Sequence, residues 1–257
     1  MFNAHVRYLA VAFLDAESVR PNSEDIAKFI KAFNFAEFVA VAVQETTLTG
    51  QNRRTGFVSS DGSWHIFLLG QQFNVARVSS LPTGGDLGDF TEFCQTANKI
   101  LQTLLRHFGR RPHRLAAVQE GVLKDKPEEE IRAIAEKLLI LPEIFKKNPL
   151  SEWDWRCVGR TKHDVGGSEE SFNEIVTIKR INVLQTQSTE ISIGTGTLPL
   201  SQLPTMIPFI RLDLDINTTP ENTSARFQDE HMNDFFEKVI KWHNELKNQI
   251  SHLIGMA

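Results

Sequence analysis

Asp89-Phe90-Thr91-Glu92 returns later in the chain as Asp234-Phe235-Phe236-Glu237, and the same frame sets Leu101 against Leu246 and His107 against His252. Each tetrapeptide opens a stretch with apolar residues at helical spacing. Phe90, Phe93, Ala97, Ile100, Leu101, Leu104 and Phe108 make one stripe, closed by Gly109. Phe235, Val239, Trp242, Leu246 and Ile250 make another, on a helix expected from about Gln228 to Ile254. A second echo, Arg7-x-x-Ala10-Val11 against Arg114-x-x-Ala117-Val118, links two apolar runs that read as opening strands. Working outward, one order occurs twice: strand, amphipathic helix, several strands, closing helix. That order predicts an α+β fold of two related β-α-β(n)-α halves, residues 1–110 and 111–257, with antiparallel sheets side by side and covered on one face by amphipathic helices. The second half is longer, and its excess near residues 185–208, rich in Thr, Ser, Gly and Pro, predicts an irregular insertion.

Local signals fill in the two halves. Val6 to Leu14 is a near-continuous apolar run suited to a central strand. Asn22 or Ser23 is placed to cap a helix whose first turn holds Glu24 and Asp25 and whose apolar face is Ile26, Phe29, Ile30 and Phe33. Phe38 to Val43 reads as a strand, and the polar stretch through Arg53 and Arg54 as a loop. Asp61-Gly62 between Phe57 and Trp64 is a hairpin signal, because this pair supplies positive φ cheaply; Phe73 to Val78 continues the meander. In the second half Pro127 suits a first helical turn ahead of Ile131, Ile134 and Leu138, which Leu141-Pro142 stops or kinks. Trp153 to Cys157 and Ile175 to Leu184 read as strands joined across Gly166-Gly167. Arg211 to Ile216 alternates so that Leu212, Leu214 and Ile216 face a core and both carboxylates face away.

The 257 residues suffice for a core that needs no staple, and 41% hydrophobic with 23% charged residues is an ordinary globular composition. A net charge of -4 argues against a chain that grips nucleic acid with its whole surface. Cys94 and Cys157 form no pair with metal-site spacing and read as small buried residues. Met1 to Leu14 reads as a strand rather than a secretory leader, no apolar stretch approaches a bilayer span, and a cytoplasmic location is expected.

Candidate chemistry is sparse. Arg110, Arg111 and Arg114, with Arg53 and Arg54, are candidates for contacts to phosphates or an acidic partner. Asp213 and Asp215 lie on one strand face, with Asn217, His231 and Asp234 downstream, and a divalent cation for phosphodiester hydrolysis is the sharp reading of that set. The plainer reading is a strand's ordinary polar face. Gly194-Thr-Gly196-Thr lacks the lysine and following helix of a phosphate cradle and reads as a turn. His107 and His252, near helix C-termini, suit the negative dipole end. No cofactor is called for.

The Phe57–Trp64 hairpin, the Asp89-Phe90 helix, the Arg114 strand, and the acidic Leu212–Ile216 strand feeding a terminal helix with His243 occur in an order that resembles a sporadically distributed family of uncharacterised prokaryotic proteins of about this length. That resemblance implies a setting among mobile or defence-related genes and supplies no catalytic residue. In topology alone the element order resembles the duplicated saddle of TATA-binding proteins, without a motif beneath it. The expected function is a non-enzymatic interaction or regulatory subunit, in a prokaryotic defence or toxin-control assembly, with a protein partner or a second copy bound. The alternatives are a nucleic-acid-binding protein using a sheet face and arginine patches, and a metal-dependent nuclease centred on Asp213 and Asp215.

Overall fold

The computed structural model describes residues 4–47, 50–146, 150–185, 188–193, 196–201 and 205–255. Eleven strands and five helices follow one another as β1 (Ala4–Phe13), α1 (Ser23–Ala32), β2 (Phe38–Thr47), β3 (Gly50–Ser59), β4 (Trp64–Leu68), β5 (Gln72–Val78), α2 (Phe90–Phe108), β6 (Arg114–Leu123), α3 (Glu128–Leu138), α4 (Glu143–Lys146), β7 (Trp153–Val165), β8 (Ser168–Gln185), β9 (Ser188–Ile193), β10 (Gly196–Ser201), β11 (Thr205–Thr218) and α5 (Asp229–Ile254). The fold is α+β: one strand, one helix, four strands and a helix up to Phe108, then one strand, two helices, five strands and a helix from Arg114.

The strands expected as two neighbouring sheets form one antiparallel sheet of nine, ordered β2-β3-β4-β5-β1-β6-β11-β8-β7. The join is the β1–β6 pair. Ala10 and Ala117, the alanines aligned by the sequence echo, are register partners there. Each opening strand is flanked on its other side by the last strand of its own half, β5 beside β1 and β11 beside β6. The halves nevertheless differ, since five strands lie on one side of the join and four on the other. Residues 185–208, expected to be irregular, include a separate β9–β10 hairpin; residues 186–187, 194–195 and 202–204, and with them part of the Gly194–Gly196 turn reading, lie outside the described residues.

The helix ends follow the chemistry of the backbone. Asn22 accepts from Glu24 N at 2.8 Å and Asp25 N at 2.9 Å, while Asp25 returns a bond to Asn22 N, so orphan amides at the start of α1 are satisfied reciprocally. Asp89 caps α2 through Thr91 N, and Gly109 in the left-handed region (φ 61°) ends it. Asp234, its counterpart in the echo, is no cap, because α5 begins at Asp229. Gly166 and Gly167, both at positive φ (59° and 84°), make the tight turn between β7 and β8, both of which run longer than the apolar pattern predicted.

One parity of each strand faces the helices. Tyr8, Ala10 and Ala12 of β1, Leu115 and Ala117 of β6, Phe57, Ile66, Phe73 and Val75 join the buried faces of α1, α2 and α5 in one core. Its centre is aromatic: Phe29 stacks on Phe33 and meets Phe57 edge-on, each pair 6.0 Å between centroids. A second core gathers Leu123, Ile178, Leu212 and Leu214 under Ile131 and Ile134 of α3 and the end of α5. Leu246 packs against both, so α5 ties the halves together. Cys94 is buried as read from the sequence, whereas Cys157, on an edge strand, is exposed.

Candidate functional site: the second sheet face and its two edges

The strand parity that turns away from the helices carries a different chemistry in each half. In the first half it is largely apolar, with His65, Asn74 and the Arg54–Glu45 pair as its polar members. Val39, Val41 and Val43 of β2, Val58 of β3, and Leu9 and Val11 of β1 alternate with core residues. Gly56 makes room there for the Phe67 ring, since a Cβ at Gly56 would fall 2.7 Å from Phe67 Cδ1 and 2.8 Å from Val43 Cγ2.

In the second half the same face is an ion-pair ladder across four strands. Arg7 of β1 binds Glu120 Oε1 of β6. Arg211 of β11 reaches Glu120 Oε2 at 2.8 Å and Asp213 Oδ1 at 2.8 Å, and Lys179 of β8 lies 3.6 Å from Asp213 Oδ2. Glu120 is almost fully buried and is paired with both arginines. Two same-face positions along β11 from Asp213, Asn217 accepts from Arg114 Nη2 at 2.9 Å and from Asn173 Nδ2 at 3.1 Å, and donates to Asp215 Oδ1 at 2.9 Å. Burial raises the Asp215 carboxyl above its ordinary range, with the Asn217 bond and the Arg114 charge opposing.

The arginines singled out in the sequence go to three places. Arg114 lies on this face, its guanidinium 4.6 Å from the Phe13 ring centroid and its Nε donating to Thr218 O. Arg53 and Arg54 are not in a loop but on β3, which runs through them. Arg53 is exposed; Arg54 is buried, held by Glu45 Oε2 at 2.7 Å and Glu17 Oε2 at 2.5 Å. Glu45 also accepts from Gly70 N, so Arg54 ties three loops and strands of the first half with its charge already matched. Arg110 and Arg111 follow α2 and line a cavity of about 450 Å³ against the first turn of α5, together with Arg106, which pattern reading passed over although it precedes Arg110 by one helical turn.

Asp213 and Asp215 share a face as expected, but His231 and Asp234 lie on α5, across the sheet, where Asp234 accepts from Gly166 N and pairs with Lys238. Among the described residues no group of three or more His, Cys, Asp or Glu is placed to hold a metal ion. Nor is any helix among them long and apolar enough to cross a membrane. The carboxylates of this face are paired with cations and amides.

The sheet's two edges are β2 and β7. Along β2, Phe38-Val-Ala-Val-Ala-Val43 has no charged residue and no proline; Val39 is 54% exposed, and Ala40 and Ala42 are exposed as well. Along β7, Asp154, Arg156, Arg160, Lys162 and Asp164 stand at every second or fourth position. Sequence reading found β2 as a strand but had no signal for its place at an edge. Neither the known family models nor the curated proteins include a match to this chain.

Proposed function

We propose that the protein is a non-enzymatic interaction subunit that joins other polypeptide through the β2 edge, and that the occupant is a second copy of the chain. The observation that carries this reading is the uncharged Phe38–Val43 edge, a row of backbone donors and acceptors without the charges that keep β7 from pairing. Its alternation is self-complementary. In an antiparallel pairing centred on Val41, Val39 of one copy meets Val43 of the other, and each sheet continues into the next with like faces on the same side. Glu45 tolerates that approach because Arg54 already neutralises it. The ladder face of each copy is left outside the seam for a further partner.

The test is mass in solution by analytical ultracentrifugation at micromolar concentration, on the full chain and on Val39→Lys. A dimer that Val39→Lys converts to monomer supports the seam. A monomeric parent, or a dimer indifferent to Val39→Lys, sinks it. A nucleic-acid reading of the sheet face draws less support, because Arg7, Arg211 and Lys179 are matched to carboxylates and Arg114 is engaged with Asn217 and Phe13.

A further inference from the structure

We infer that the cavity between the end of α2 and the start of α5 is a binding site for a small phosphate ester of nucleotide size. Its volume, about 450 Å³, falls within the range of about 300–1,000 Å³ that small-molecule sites occupy. Arg106, Arg110 and Arg111 crowd its rim, and their charges are unevenly matched. Arg106 Nε binds Asp229 Oδ2 at 2.5 Å and its Nη2 donates to Gln102 at 3.2 Å. Arg110 Nη2 donates to the neutral hydroxyl of Ser18 at 2.6 Å, and Arg111 is exposed without an ion pair among the described residues. Arg54, Arg211 and Arg226 sit on the carboxylates of Glu45, Asp213 and Glu170, whereas Arg114, like Arg110, is held by neutral groups. Asp229 and Glu230 share this lining and Arg106 is paired with Asp229, so Arg110 and Arg111 are the cations here without a carboxylate among the described residues, and the planar guanidinium fork suits the oxygens of a phosphate.

The walls are held in place before any ligand arrives. Gln102 donates to Asn233 Oδ1 at 2.7 Å and to Asp229 O at 3.2 Å, and Asn98 donates to the same Asn233 oxygen at 2.7 Å. These bonds lock the last turns of α2 to the first of α5. Backbone amides of Arg226 and Phe227 both donate to Pro112 O, which pins the loop carrying Arg110 and Arg111 to the entry of α5. A preorganised cationic rim spares a ligand the cost of ordering it. Leu105, Phe227 and Met232 lie behind the lining and are at most 3% exposed, so a ligand meets the polar rim and not an apolar floor. Asp229 and Glu230 at the rim supply acceptors for hydroxyl groups on that ligand.

Isothermal titration calorimetry on the full chain tests the assignment, with AMP, GMP, ADP, adenosine and orthophosphate as probes. At least one nucleotide is expected to bind about tenfold or more tightly than both adenosine and orthophosphate, with affinity falling as salt rises. Arg110→Glu with Arg111→Glu should remove that binding, while Arg53→Glu, an equal charge change per site on β3, should leave it intact. Arg111→Ala, at an exposed position, serves if the double variant melts early, and should weaken binding about tenfold. No heat from any nucleotide, orthophosphate binding as well as nucleotides do, or nucleotide binding unaltered in the Arg110 and Arg111 variants would each overturn the inference.

Discussion

The two ends of the sheet are built on opposite rules. β7 places Arg156, Arg160 and Lys162 on the face opposite the helices, with Arg160 3.2 Å from Glu221 and Lys162 2.7 Å from Glu169, so an approaching strand meets solvated charge. β2 offers valine and alanine from Val39 to Val43; the charge within the strand, Glu45, is turned inward onto Arg54, while Glu37 just before the strand is exposed. The lesson concerns where charge is spent: the first half uses its arginine inside, to close the meander, and leaves its edge bare, whereas the second half lines its edge and face with ions. A sheet with one guarded and one bare edge has a single direction in which it can grow.

The largest effect should come from breaking the inner clamp. Arg54→Met leaves Glu45, whose side chain is 14% exposed, without its arginine and is expected to cost about 3–5 kcal/mol, read as a drop in the urea midpoint. Arg211→Met should cost less, because Glu120 keeps Arg7. Equal losses at the two sites would show that the halves do not divide their charges as described.

Acid should act next, at the joint between the halves. His243 of α5 is completely buried with its ring stacked on Phe90 of α2, 4.5 Å between centroids, and burial, aided by the charge of Lys247, lowers its pKa to about 3. The folded protein therefore keeps this ring neutral over a range in which the unfolded chain, with an ordinary histidine pKa of about 6.5, binds a proton. The sign follows: the contribution is whole above about pH 6.5 and is lost as pH falls toward 3, a difference on the order of 5 kcal/mol. His5, also lowered, to about 4, by burial and then by Lys247, works in the same direction. Chemical denaturation across this window should steepen in the parent and flatten in His243→Phe; an unchanged slope in the variant would move the acid-sensitive joint elsewhere.

Much of this fold could be read from short-range chemistry. Asn22, Asp89 and Gly109 mark helix ends because capping is settled within a few residues, and Asp61-Gly62 specifies its hairpin by φ alone. The β1–β6 join depends on residues more than a hundred positions apart, so the echo of Ala10 and Ala117 suggested kinship but not contact. β7 was read short because its charges after Cys157 erase the apolar alternation, for the very reason that it is an edge. The candidate residues divide likewise: Arg110 and Arg111 stand out as a cluster, but the burial of Arg54 depends on Glu17 and Glu45, brought in from other elements. The ladder through Glu120 and Arg211 had no signature in sequence, since its members come from four strands.

At the bare edge itself the effect is smaller in energy but more specific. Val39→Lys should leave the melting temperature near that of the parent, because the side chain is already 54% exposed, and should weaken self-association about tenfold or more, equivalent to about 1.4 kcal/mol. Association that survives a lysine here would mean that growth occurs elsewhere.

The smallest change in stability belongs to the guarded edge, and it tests the other side of the contrast. Lys162 and Glu169 are each 66% exposed, so Lys162→Ala alone should leave the melting curve where it was. Their role, on this reading, is to refuse a partner, and a refusal leaves no mark on the isolated fold. It emerges only when the guard is removed: Arg156→Val, Arg160→Val and Lys162→Val together should give β7 the character of β2 and produce concentration-dependent association beyond a dimer, because each copy then has two edges that accept a strand. Light scattering against concentration reads this directly. If the triple variant associates no further than the parent, the charges of β7 are not what limits growth, and the bareness of β2 loses its meaning as a signal.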